Sequence, residues 1–367
     1  MASTTVNAAC ACKSFEYQIQ YPQSSLPIDR ALCICNRCRK NSGSCGQSHI
    51  PIPPDHIVDP SRYQLTKYAI TENHDRYFCS TCGAHVLTQV KAAKRWSITT
   101  GVLESTEGIV NWTGCKYTEG SLDGGISIWL KDIVGRDGNV KPLKSWAGQD
   151  DEPPITDGSL TQTTSIKPEI STDARLTAAC HCGGVKFSIS RPDEGSKAAV
   201  SSFPDLMYPF HEKKEANPNN ESWWLRANDK KYVAGLCACP SCRFNSGYEI
   251  QPWAFVPKCN LLKENGKILD FNIGTLKRYS SSAGVMREFC SVCGATVFWH
   301  NDARPSVIDV SVGLLDPEEG ARAEGWLDWW TERVSFQELA VSTSLIASLE
   351  RGLRIWGREE GLKKDRE

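Results

Sequence analysis

Apolar residues recur at every second position in short runs along much of this chain. Val185, Phe187 and Ile189 alternate with Lys186 and Ser188. Ala84 to Leu87, Ala295 to Trp299, Trp96 to Thr100 and Val307 to Val312 read the same way. Alternation at period two marks a half-buried strand, so the chain is predicted to be mostly β with many turns. One stretch departs from it. Leu345, Leu349, Leu353 and Trp356 fall at helical spacing and predict a packing helix leading into the charged tail Arg358 to Glu367. From Gln149 to Asp173 the chain passes through Pro153-Pro154, Asp157-Gly158 and a Ser/Thr-rich run with few large apolar residues, the composition of an exposed connector.

The pattern is written twice. Cys10-Ala-Cys12 with its following run matches Cys180-His-Cys182. Cys33 to Gly43 (CICNRCRKNSG) matches Cys237 to Gly247 (CACPSCRFNSG), and Cys79-Ser-Thr-Cys82-Gly83 matches Cys290-Ser-Val-Cys293-Gly294. Order and internal spacing agree, so this is a tandem duplication of a whole domain. The expected division is 1–148 and 174–344 for the two copies, 149–173 for the linker and 345–367 for the helix and tail. The second copy carries an insertion, roughly Pro192 to Asp229, read as a loop from Asn217-Pro218-Asn219-Asn220.

With 42 basic against 43 acidic side chains, charge gives no reason to expect a nucleic-acid or anionic-membrane partner. No apolar run reaches transmembrane length, and Met1 to Ala9 lacks the order of a signal peptide, so a reducing, cytoplasmic setting is expected. The 17 cysteines are odd in number and the chain is long, which suits metal binding better than a disulfide framework. Fourteen of them fall in the repeated frame. Cys45, Cys115 and Cys259 are left over as small hydrophobes or inert thiols.

Each C-x-C is expected on a strand, where positions i and i+2 share a face and could approach one metal ion while His181 points away. Each C-x-x-C-G reads as a metal knuckle turning into a strand. Grouping the outer pairs gives Cys10, Cys12, Cys79 and Cys82 in one half, and Cys180, Cys182, Cys290 and Cys293 in the other. The spacing does not force this grouping; it follows partly from counting. It leaves two triples, Cys33, Cys35, Cys38 and Cys237, Cys239, Cys242. Four thiolates close a structural zinc site, whereas three protein ligands leave a position open for chemistry. A soft three-thiolate site favours a soft fourth ligand such as a thiol, which would lose its proton near neutral pH. The other reading is a second structural zinc, completed by a residue the spacing does not identify.

The order C-x-C, C-x-C-x-x-C-R-x-x-S-G, C-x-x-C-G resembles the glutathione-dependent formaldehyde-activating enzyme family, the GFA or centromere-protein-V domain family. Arg39 with Ser42-Gly43, and Arg243 with Ser246-Gly247, carry the resemblance beyond the cysteines. Asp123 to Trp129 and Trp326 to Trp330 look like that family's closing strand region. The resemblance implies coiled antiparallel sheets of the MSS-four-like kind. It also implies a structural zinc on each outer set, a more labile zinc on each triple, and carbon–sulfur lyase chemistry joining glutathione to formaldehyde. Up to four zinc ions per chain, a small-molecule thiol and a small aldehyde as partners, and action through zinc on the two triples are therefore expected. The competing reading is a non-catalytic, zinc-stabilised binding module. In it Trp223-Trp224 and Trp326 to Trp330 would form a partner surface, whereas core packing is the simpler use of those rings.

Overall fold

The structure is a computed structural model that describes residues 2–135, 139–149, 173–204, 206–209, 212 and 217–364. The expected linker, apart from Gln149 and Asp173, lies outside the described residues. Strands dominate, as the alternating runs require. In the first half a five-stranded antiparallel sheet runs in the order His49–Pro51, Arg95–Thr99, His85–Val90, His74–Cys79, Leu65–Thr71. Ser3–Ala9 and Glu16–Pro22 form a hairpin beside it. The second half repeats this order but fuses it with neighbouring strands into one eight-stranded sheet among the described residues.

Not every pairing is antiparallel. Ile28–Cys33 runs parallel to Val110–Lys116, and Lys231–Cys237 parallel to Leu327–Trp329. These two strands, one per half, both lead into a cysteine triple.

Four helices are described: α1 (Asn36–Ser42), α2 (Glu194–Lys197), α3 (Pro240–Ser246) and α4 (Thr343–Lys364). The helical spacing at the C-terminus is thus realised in α4. Its Leu345, Leu349 and Leu353 are fully buried. Although α4 follows the second half in sequence, it packs on the first. Trp356 lies edge-on to Trp129, with ring centroids 5.6 Å apart, and Ser348 Oγ accepts from Val134 N at 3.2 Å. Gly352 permits this approach, because a Cβ there would fall 1.6 Å from the Trp129 carbonyl oxygen. On its other side Glu350 accepts from Val334 N of the second half.

The core is continuous through both halves. The trailing R-x-x-S-G of each triple accounts for much of that continuity. Gly43 and Gly247 end α1 and α3 at φ +75° and +80°, where glycine alone is unstrained. A Cβ on Gly43 would meet Thr296 O at 2.1 Å, and one on Gly247 would meet His85 O at 2.1 Å. Arg39 donates to Leu315 O at 2.7 Å, and Arg243 to Leu103 O at 2.8 Å. Each helix therefore docks its arginine and terminal glycine into the opposite half, and the exchange is reciprocal.

Three local expectations need correction. The C-x-C pairs do not lie on strands. Cys10 to Cys12 form the turn after Ser3–Ala9, and Cys180 to Cys182 the turn after Arg175–Ala179, because the chain must reverse there into the next strand. Gly125–Ile128 is a 3-10 segment rather than a closing strand. The insertion is more than a loop: it holds α2, capped by Asp193, and the short strand Leu225–Arg226. It also sends Trp223 and Trp224 into the core.

Candidate metal centres

Strand ends, turns and helix caps bring the thiols together. In the first half the hairpin turn supplies Cys10 and Cys12, and the knuckle after His74–Cys79 supplies Cys79 and Cys82. Gly83, at φ +82°, lets that knuckle fold back into the next strand, and Gly294 does the same at φ +79°. All four sulfurs of each outer set lie within 4.8 Å of one another. Cys10–Cys12 and Cys12–Cys79 are 3.6 and 3.5 Å apart, and Cys180–Cys182 and Cys182–Cys290 are both 3.5 Å. A tetrahedron with zinc–sulfur bonds of about 2.3 Å has edges of about 3.8 Å, so these sets have the size such an ion needs. They are too far apart for disulfides, which need about 2.05 Å.

Neighbouring donors are arranged for thiolates. Cys82 N and Thr81 N point at Cys79 Sγ, and Cys293 N points at Cys290 Sγ at 3.4 Å. Ser14 Oγ lies 3.1 Å from Cys79 Sγ, and Thr275 Oγ1 lies 3.0 Å from Cys290 Sγ. Hydrogen bonds from Cys10 and Cys82 drive the Cys79 thiol far below its usual value, and Cys180 and Cys293 do the same to Cys290. Such outer hydrogen bonds hold a ligating sulfur in place and spread its charge. Ser14 and Thr275 escaped the sequence reading because they occupy different places in the two copies.

The inner triples share one local design. A strand ends at the first cysteine, the second caps the helix and the third sits in its first turn. Cys35 Sγ accepts from Cys38 N at 3.4 Å, and Cys239 Sγ accepts from Cys242 N at 3.2 Å. Each set of three sulfurs also lies within 4.8 Å, with Cys33–Cys35 at 3.6 Å and Cys33–Cys38 at 3.4 Å. Hydrogen bonds from Cys33 and Cys38 hold the Cys35 thiol far below its usual value.

Two arginines complete these sites, and nothing in the sequence reading named them. Arg76 donates to Cys38 Sγ at 3.8 Å and Arg287 to Cys242 Sγ at 3.6 Å. Both stand three residues before the first cysteine of the C-x-x-C. Aligning the copies at that point would have revealed them. Arg76 also donates to Thr88 Oγ1 at 2.7 Å and to His49 Nε2. Burial, then the Arg76 charge, push His49 well below its usual value, so its ring is neutral and accepts.

His181, flanked by cysteines, stands outside the sulfur set. Its Nδ1 meets the Tyr68 hydroxyl of the other half at 2.6 Å. Cys45 and Cys115 are raised to about 12 by burial, which keeps them inert. Two surface clefts have no thiol in their lining. One of about 390 Å³ is lined by Trp112, Lys144 and Trp146, and one of about 270 Å³ by Trp223, Arg226 and Trp330. Among the described residues no helix is long and apolar enough to cross a membrane.

Compared with known protein families, residues 5–118 and 224–333, together more than half of the chain, match the family model described as glutathione-dependent formaldehyde-activating enzyme. No curated protein matches the chain.

Proposed function

Since the chain belongs to the glutathione-dependent formaldehyde-activating enzyme family in both halves, we propose that it joins a small thiol to a small aldehyde, glutathione and formaldehyde being the first pair to test. A carbon–sulfur bond forms between the thiol sulfur and the carbonyl carbon. The carbonyl π bond opens, and the proton lost from sulfur ends on the carbonyl oxygen. The reverse reaction cleaves the same bond.

One observation carries this reading. Each half keeps a three-sulfur set apart from its four-sulfur set, and in the first half Cys33 and Cys35 are only partly buried. We assign a structural zinc to each outer set and a further zinc to each triple. Cys33, Cys35 and Cys38 would hold such an ion with one position left open, and it would supply the acidity for a thiol there to lose its proton near neutral pH. The chain's own groups prepare that place. The Arg76 guanidinium sets positive charge against Cys38, offsetting part of the charge of three thiolates. Neutral His49 and Thr88 hold the guanidinium there. A reducing compartment such as the cytoplasm suits thiols used in this way.

The binding-module reading keeps one supporting observation, the burial of all three thiols in the second triple. Its partner surface is weaker, because Trp223, Trp224, Trp326 and Trp329 are buried. The test is exchange NMR on glutathione and formaldehyde with zinc-loaded protein at catalytic concentration. Faster adduct formation and breakdown, lost in Cys35→Ser, is the expected result. Rates equal to the uncatalysed exchange would favour the binding module.

A further inference from the structure

The two triples share a sequence frame but differ in access and in the wall behind them. In the first, Cys33 and Cys35 are partly exposed, while Cys38 is 7 % exposed. In the second, Cys237, Cys239 and Cys242 are 6, 9 and 6 % exposed. The returning chain passes the two triples along equivalent paths. After the first triple's strand, Ile34 N donates to Lys116 O, and Tyr117 follows at φ +60°. After the second, Ala238 N donates to Ser335 O, and Phe336 follows at φ +56°. The same path places Gly120 beside Cys35, where a Cβ would lie 3.8 Å from the Cys35 Cα and Cβ. Leu339 holds the corresponding position in the second half.

The inner walls diverge as well. Behind Cys38 stand Arg76, His49 and Thr88, joined by Tyr248 from the second half. The Tyr248 hydroxyl lies 3.5 Å from His49 Nε2, and its ring meets the His49 ring edge-on at 5.8 Å. Behind Cys242 stands Arg287, but the strand position opposite it, held by Thr88 in the first half, is Trp299. Where the first copy has His49 the second has Trp253, and where the second has Tyr248 the first has only Ser44. Ser44 donates to Ile250 O instead of reaching a thiol site. Polar, hydrogen-bonding groups thus stand behind one triple, and at the equivalent positions of the other half the chain carries indole rings.

We infer that only the first triple exchanges ligands with solution, that the second half lends it Tyr248 as a positioning residue, and that the second triple is a closed, structural site. The inference rests on the thiol-binding reading above for the nature of the ligand, but its claim about access stands apart from catalysis.

The test uses the full-length protein with cobalt in place of zinc. Brief iodoacetamide treatment followed by peptide mass spectrometry should label Cys33 and Cys35 at least tenfold faster than Cys237, Cys239 and Cys242. Glutathione should change the visible spectrum of a single cobalt equivalent per chain. In Tyr248→Phe the cobalt content and melting midpoint should stay as in the parent, while several-fold more glutathione is needed for half of that change. Equal labelling of the two triples, or a spectral change spanning two equivalents, overturns the inference. A glutathione titration unaltered in Tyr248→Phe removes Tyr248 from the site. Labelling confined to Cys33 and Cys35 with no glutathione response overturns the thiol-binding reading and leaves the one-sided access standing.

Discussion

Replacing one sulfur by oxygen should have opposite consequences at the two kinds of cluster. Cys290 is fully buried, with Cys182 at 3.5 Å, the Thr275 hydroxyl at 3.0 Å and the Cys293 amide against its sulfur. Cys290→Ser leaves three thiolates to hold a structural ion. Structural zinc contributes about 10 kcal/mol or more to folding, comparable with the whole stability of about 5–15 kcal/mol for a domain. The loss also spreads. Asn41 of the first half donates to Cys293 O at 2.9 Å, and Phe78 packs where a Cβ on Gly294 would be, 2.6 Å from its ring. Cys35→Ser is the control. Cys35 caps α1 by accepting from Cys38 N, and serine is among the best residues for that task. The helix should keep its cap, at a change of about 1 kcal/mol or less. Circular dichroism melts and zinc content are the assay. Cys290→Ser should be insoluble, or melt tens of degrees lower with one zinc fewer. Cys35→Ser should melt close to the parent and lose only the labile ion. Equal melts for the two variants would refute the division into structural and open sites.

Gly247→Ala puts a methyl 2.1 Å from His85 O at φ +80°, so the docking of α3 should weaken by about 2 kcal/mol or more in urea unfolding. A loss below about 0.5 kcal/mol would mean that the halves are not locked there. His85 is buried and neutral; burial, then the Arg76 charge, lower it from 6.5 to about 3. The unfolded chain binds a proton there below pH 6.5 and the folded chain does not, so stability is fully present above 6.5 and falls as pH drops towards 3. The slope is about 1.4 kcal/mol per pH unit, so between pH 6.5 and pH 5 the parent should lose about 2 kcal/mol more than His85→Gln in paired urea titrations. Identical losses would show that His85 is not held neutral. Gly352→Val drives a side chain into the Trp129 carbonyl, so α4 should lift and tryptophan emission shift to the red. Unchanged emission would place the helix elsewhere.

Much of this protein was legible before any coordinates. Alternation at period two is a local consequence of strand geometry, so the β content could be read from runs such as Val185 to Ile189. The leucines of α4 likewise announced a helix. Repeated cysteine spacings made four clusters countable, because a metal ion fixes how many sulfurs must meet and turns bring near-neighbours together. What the sequence left open depends on contacts between residues distant along the chain. The R-x-x-S-G that trails each triple proved to be the docking device between the halves, and no local rule reveals that Gly247 must lie against His85 O. The direction taken by α4, across to Trp129, is set by which buried surface is left uncovered. Most of all, the frame cannot distinguish the triples. Their cysteines are spaced identically, and the difference lies in Tyr248 meeting His49 across the two halves, while the second copy carries Trp253 and Trp299 at the equivalent positions. Ligand spacing is a property of a few consecutive residues, but access to a metal site is decided by everything that folds over it.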